Sequence, residues 1–207
     1  MPTLESLLTA ALEKNQWVLA PETKSLLLRY LDLLQTWNRV FNLTTITDPQ
    51  GMVYLHLMDS LLVSPYVQGQ RCLDVGSGAG LPGLPLAIVN PQQQWVLLDK
   101  SSKKTRFLTQ VVAELQLPNV EVCHARCEDF HPPLCFDSIL SRAFGTISLF
   151  AQTTKHLLCP TGVLIAMKGK YPQTELAELT SSFSVSVQRV DIKGIDVERH
   201  IVLLTNQ

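Results

Sequence analysis

The chemistry-bearing part of the chain is a short apolar run that ends in an acid and is followed by glycines at every second position. Segment 72–83 reads CLDVGSGAGLPG, with Asp74 as the acid and Gly76, Gly78 and Gly80 as the spaced glycines. Glycines let a turn take positive φ and let a ligand lie against bare backbone. Pro82 stands where a first helical residue is expected, since its missing N–H costs nothing there. A strand, such a turn and a helix make a nucleotide-cofactor cradle at the carboxyl end of a parallel strand.

Two registers fit this segment. Gly78, Gly80 and Gly83 form a literal dinucleotide fingerprint, with Asp99 following at the expected distance. Asp74, Gly76, Gly78 and Gly80 instead form the pattern of enzymes that use S-adenosylmethionine (SAM). The strand is expected to end at Val75, which makes Gly76 the first turn residue and puts Gly78 late for a pyrophosphate-binding turn. Asp74 also suits a cofactor with an ammonium and a sulfonium better than a pyrophosphate. The SAM register is the favoured one.

Asp99 ends the next strand-like run, where an acid can accept hydrogen bonds from both hydroxyls of a ribose or cap the following helix. Lys100, Lys103, Lys104 and Arg106 follow as either a phosphate-contacting edge or a solvated helix face. Arg126, Cys127 and Glu128 come after the third run, where an adenine ring is often flanked in such sheets. Ser141, Arg142, Ala143 and Phe144 follow the fourth, at the catalytic edge. That loop lacks the Asn/Asp-Pro-Pro-aromatic sequence of DNA amino-methylating enzymes; His131-Pro132-Pro133 lies before the strand instead. It also lacks the cysteine that a cytosine-carbon methyltransferase needs as nucleophile. Lys168 ends the fifth run and Arg199 opens the last. His56 and Asp59 sit at i, i+3 on one helix, a spacing that favours a structural hydrogen bond.

These residues need elements to position them. Residues 1–66 read as helices. Leu4, Leu7, Leu8, Ala11 and Leu12 form one apolar stripe, and Leu27, Tyr30, Leu31, Leu34 and Trp37 form another. Asp48-Pro49 reads as the cap and first residue of a third helix running towards Val63. Strand-like runs follow at 71–75, 95–98, 120–123, 136–140, 163–167, 183–190 and 201–205, with a clear helix at 103–115. Alternation of this kind implies an α/β fold. It is a Rossmann-like, seven-stranded, mostly parallel sheet of the class I SAM-dependent methyltransferase type. Residues 1–66 would form an N-terminal helical extension and 67–207 the SAM-binding domain.

Across 207 residues, 46% hydrophobic and 17% charged content indicates an ordinary folded core, and a net charge of −1 gives no global footprint for nucleic acid. Five cysteines form no C-x-x-C pair and no zinc spacing, so no metal is expected. An odd count without a secretory leader implies reduced thiols in the cytoplasm. No apolar run reaches membrane-spanning length.

The ordered motifs resemble a known family. Trp37-Asn38, Phe41-Asn42-Leu43-Thr44, His56 with Asp59-Ser60-Leu61, and the glycine loop come in sequence. Leu98-Asp99, Lys104 with Phe107-Leu108, Ser141-Arg142-Ala143, Lys168-Gly169 and Glu198-Arg199 follow. The set is similar to the bacterial small-subunit ribosomal RNA methyltransferase G family, also called glucose-inhibited division protein B, from about Leu26 to Thr205. The resemblance implies methylation of guanine N7 in 16S rRNA; naked RNA or the small ribosomal subunit is the expected partner, and a monomer without metal or membrane attachment is expected. It implies SAM contacts at Gly76, Leu81, Cys127, Glu128 and Arg142; RNA contacts are expected, from their placement at the sheet's edge, at Lys100, Lys103, Lys104, Arg106, Lys168 and Arg199. Cys127 and Lys100 depart from the residues expected at their positions.

Guanine N7 carries an exposed lone pair and no proton, so direct in-line displacement needs no general base. Positioning carries the work, with Arg142 and Arg199 expected to orient or to hold phosphate. Two other readings are an NAD-dependent oxidoreductase on the Gly78 register and a non-catalytic SAM-binding interaction module. The first lacks a recognisable hydride-handling set; the second would bind cofactor without methylating RNA.

Overall fold

The computed structural model describes residues 2–179 and 183–207. Helix α1 (Leu4–Lys14) starts at Thr3, whose side chain accepts from Ser6 N, and buries Leu8, Ala11 and Leu12. Helix α2 (Pro21–Phe41) has proline in its first turn and ends at Asn42 in the left-handed region, φ 48°. Its buried stripe is Leu27, Tyr30, Leu31 and Leu34, as the apolar spacing requires. Asp48 caps α3 (49–61) by accepting from Gly51 N at 2.7 Å. The middle of α3, Met52–Met58, is π-helical and almost wholly buried; such wide turns often mark functional sites.

The seven strands are β1 (Arg71–Val75), β2 (Gln94–Asp99), β3 (Val120–His124), β4 (Phe136–Arg142), β5 (Leu158–Lys168), β6 (Phe183–Val190) and β7 (Arg199–Asn206). They pair in the order β3-β2-β1-β4-β5-β7-β6. The first five are parallel; β7 runs antiparallel to both β5 and β6. Every strand expected from the sequence is present, and 183–190 has the bounds expected for it. Strands β1 and β2 are buried almost throughout because helices cover both faces. One core joins α1, α2 and α3 to Ala79, Leu84 and the buried side of α5 (Ser102–Leu115); another packs α6 (Ile147–Thr154) against the opposite face. Strand order reverses between β1 and β4, so the crevice outside their carboxyl ends is the place for a ligand.

Two expectations are corrected. Pro82 does not open a helix: α4 runs Gly83–Val89 with Pro82 just before it, because Gly83 N donates to the Asp74 carboxylate at 2.9 Å. The cysteines are not all reduced. Cys135 and Cys159 are joined, with Cα atoms 5.0 Å apart, while Cys72, Cys123 and Cys127 are free. Parallel pairing of Phe136 with Leu158 brings the two cysteines together across 24 residues of sequence. No local spacing announces such a pair.

Candidate active site

Two cavities open side by side at the carboxyl edge of the sheet. The first, about 350 Å³, lies over the ends of β1, β2 and β3 and includes Gly76, Asp99, Lys100, Lys104, Arg126, Cys127, Glu128 and Phe144 in its wall. Its apolar side is Val75, Leu98, Ala125 and Leu149. Gly76 turns the chain at φ 72°, and a Cβ built on it would stand 3.5 Å from the Phe144 ring. The bare backbone there keeps the cavity open. Asp99 is buried, yet reaches the cavity. Its Oδ2 accepts from Gly78 N and its Oδ1 from Ser101 N, both at 2.9 Å, with Lys104 Nζ 3.9 Å away. Asp99 thus anchors the glycine loop and the start of α5 together. A carboxylate has about four acceptor sites, so capacity remains for a diol. An acid, a glycine turn and an apolar slot together fit an adenosine.

Cys127 lines this cavity as a neutral thiol. Burial pushes it up to about 12, and its Sγ donates to Thr153 O at 3.4 Å. Burial likewise holds Cys72 up to about 12 and Cys123 up to about 11. Thiolate nucleophiles are therefore absent near neutral pH among the free cysteines.

Asp74 does not reach the cavity. It is fully buried, one oxygen on Gly83 N and the other without a partner, and burial pushes its carboxyl up to about 7. It stands at the amino end of α4, where helix dipoles favour negative charge. A pyrophosphate in the Gly78 register would need that same helix end, so Asp74 opposes the dinucleotide reading. Gly80 and Leu81 lie behind the loop. A Cβ on Gly80 would strike Leu84 at 2.3 Å, and Leu81 is buried in the helical core. Tyr30 ties α2 to this loop through its hydroxyl, which donates to Ala79 O at 2.8 Å.

The second cavity, about 1060 Å³, is walled by Asn38, the 42–47 segment, Leu55, His56, Asp59, Arg142, Met167, Lys168 and Arg199. Asn38 fixes Thr44 at both backbone ends: Thr44 N donates to Oδ1 at 2.8 Å, and Nδ2 donates to Thr44 O at 3.0 Å. Thr44 Oγ1 receives Ile46 N and lies 3.0 Å from His56 Nε2. His56 stays neutral, lowered to about 4 by burial and by the Arg142 charge. Asp59 accepts from Arg199 Nε at 2.6 Å and from Arg142 Nη1 at 3.3 Å. The structural His56–Asp59 bond expected from their spacing is absent. Both residues lie along the π-helical stretch or at its end, and both line this cavity.

Ala143 belongs to both walls. Its φ of 63° is unusual for a residue with a side chain, and it sends Arg142 into the second cavity and Phe144 into the first. Lys168 holds the loop that follows. Its Nζ donates to Gly145 O at 2.8 Å and pairs with Glu175, whose Oε2 accepts from Ile147 N. Lys168 is therefore engaged at the cavity wall. Lys100 and Lys104 stand at the first cavity's mouth, while Lys103 and Arg106 are exposed outside both cavities. Sequence reasoning set Asp59 and His56 aside, and gave no role to Ala125, Leu149 or Thr153. The only available signal was the motif order around Asn38, Thr44, His56 and Asp59.

Comparison with known proteins agrees with this layout. A solved SAM-dependent methyltransferase from Aquifex aeolicus superposes with a TM-score of 0.58 at 17% identity, covering 83% of this chain and 97% of that one. The O-methyltransferase TomG of Streptomyces achromogenes, solved with SAM, gives 0.57 at 18%, covering 86% and 90%. Both share the class I methyltransferase fold. Among sequences, the ribosomal RNA small subunit methyltransferase G of Nitrosococcus oceani is 48% identical over 179 residues, 86% of this chain and 84% of its own. That of Pectobacterium atrosepticum is 43% identical over 204 residues, 98% and 97%. The family model described as rRNA small subunit methyltransferase G matches residues 23–202, and the chain belongs to that family of methyltransferases.

Proposed function

We propose that the protein transfers a methyl group from SAM in the first cavity to N7 of a guanine of 16S rRNA held in the second. The observation that carries this reading is the shared wall: Ala143 lines both a slot suited to adenosine and a larger, arginine-floored space open to solvent. Bound in the first cavity, SAM would supply a methyl group on a cationic sulfur. Asp99 would hold the ribose hydroxyls, Leu98, Ala125, Cys127 and Leu149 the adenine, and the Gly76 turn the amino-acid end. Arg142 belongs to the acceptor side, in place of the cofactor contact that the family resemblance implies.

The chain's task is to orient and to exclude water. The three free thiols are neutral, and His56 has its Nε2 committed to Thr44. An acceptor that must lose a proton would need a base, and an acceptor with a free lone pair does not. Guanine N7 is such an acceptor. Its methylation raises the charge of the purine, so donors aimed at O6 serve it better than a cation pressed on N7. A cytoplasmic protein acting on the small ribosomal subunit follows from the same reading. Among the described residues no helix is long and apolar enough to cross a membrane, and no cluster of side chains could hold a metal ion.

The test uses purified protein, methyl-labelled SAM and small subunits from cells lacking any relative. Label in one guanine, mapped by the strand scission that N7-methylguanosine permits, is the expected result. SAM binding without transfer to RNA would leave an interaction module. No SAM binding would overturn the reading altogether.

A further inference from the structure

The floor of the second cavity holds two arginines around one carboxylate, drawn from three distant elements. Asp59 comes from α3, Arg142 from the end of β4 and Arg199 from the start of β7. Each Asp59 oxygen takes a different arginine, Oδ1 from Arg199 Nε and Oδ2 from Arg142 Nη1. The carboxylate side chain is only 5% exposed, against 26% and 22% for the arginines. Arg142 Nη1 also donates to Leu55 O at 3.0 Å, and Arg199 Nη1 to Glu198 O at 2.9 Å. Both guanidiniums are thus pinned on one edge. Their Nη2 groups have no protein partner among the described residues, in a wall that faces the cavity.

Lys168, the remaining cation of this wall, is neutralised by Glu175 at 2.7 Å. Asp59 therefore decides the net charge of the floor: one positive with it, two without it. We propose that Asp59 is a positioning residue for methyl transfer, fixing both arginines and cancelling one of their charges beside the acceptor base. This rests on the second cavity being the acceptor site. In the transfer, the N7 lone pair forms the new N–C bond while the C–S pair leaves with sulfur. The sulfonium becomes a neutral thioether, the purine gains one positive charge, and no proton moves. Like charges at close range repel even near a protein surface, so an uncompensated second arginine would oppose the step. The acceptor nitrogen carries no proton, so the step asks no base of Asp59.

Asp59→Asn tests this because it keeps the shape and one acceptor while removing the charge. The expected result is a single-turnover rate 10- to 100-fold lower, with Kd for SAM and for the small subunit within threefold of wild type. A purely structural residue would lower affinity and rate together, or would leave the rate alone. A rate within threefold of wild type, or a parallel loss of RNA affinity, overturns the proposal. The double variant Asp59→Asn/Arg199→Gln restores the original net charge and removes the unbalanced cation. At saturating small subunit its single-turnover rate should exceed that of the single variant at least threefold; a smaller gain overturns the proposal. If the single variant fails to fold, the double variant is compared with Arg199→Gln alone. At saturating small subunit the double should be at least threefold slower, since its floor is one charge more positive and Arg142 has lost its carboxylate partner; a smaller difference overturns the proposal. Failure of the wild-type protein to methylate RNA would instead refute the acceptor-site reading.

Discussion

The two cavities share Ala143 in their walls and are built in opposite ways. The first takes its walls from strand ends that are neighbours in the sheet: Val75 and Gly76 after β1, Leu98 and Asp99 from β2, Ala125 to Glu128 after β3. Its shape comes largely from backbone, with one acid beside an apolar slot. The second takes its walls from segments far apart in sequence and is organised by side chains: Asn38 on Thr44, and Asp59 on two arginines. A cofactor of fixed shape suits a cradle the sheet provides. An acceptor specific to one enzyme calls for a wall assembled case by case.

The widest separation should come from Gly76→Val. A branched side chain at φ 72° is strained and would grow into the first cavity. Isothermal titration should show SAM affinity falling at least 100-fold while small-subunit binding stays within threefold. Comparable losses in both would break the division between the cavities. Arg199→Ala is the converse. We expect kcat/KM for RNA to fall by 10- to 100-fold with SAM Kd unchanged, and intact methylation together with intact RNA affinity would remove Arg199 from the acceptor side.

Asn38→Ala frees both backbone ends of Thr44, at a cost of about 1–3 kcal/mol of stability. Denaturation midpoints should register that cost, and KM for RNA should rise several-fold more than KM for SAM.

The smallest effects separate two buried groups by pH. Asp74 is raised to about 7, so it holds a proton in the folded state that the unfolded chain has lost; stability falls as pH rises from about 4 to 7. His56 is lowered to about 4, so the unfolded chain takes up its proton first; stability falls as pH drops from about 6.5 to 4. The two slopes oppose each other, on the order of 4 kcal/mol for Asp74 and of 3 kcal/mol for His56, at about 1.4 kcal/mol per pKa unit. Urea midpoints against pH should slope upward in Asp74→Asn, downward in His56→Gln, and stay nearly flat in the parent chain. A parent profile equal to either variant's would sink this assignment.

Much of the first cavity was legible because its signals are local. Glycine spacing and an acid closing a strand are written in neighbouring residues, and the central strands read as continuous apolar runs because they are covered on both faces. Even there Asp74 was misplaced. Whether an acid at a strand end turns to a cofactor or to a helix start depends on where α4 begins, and Pro82 suggested one residue too early. Asp59 was illegible for a different reason. Its partners lie 83 and 140 residues away, and its helix has a π-helical turn that a 3.6-residue period does not foresee.

The sequence by itself determined the α/β alternation, the strand positions, the glycine cradle and the acid that closes β2, since each follows from chain-local periodicity and backbone freedom. Only the tertiary structure decided the Cys135–Cys159 pairing, the retreat of Asp74 behind the loop, and the gathering of Asp59, Arg142 and Arg199 on one floor. Those outcomes depend on strand register and helix docking, which bring together side chains whose separation along the chain carries no information about their distance in space.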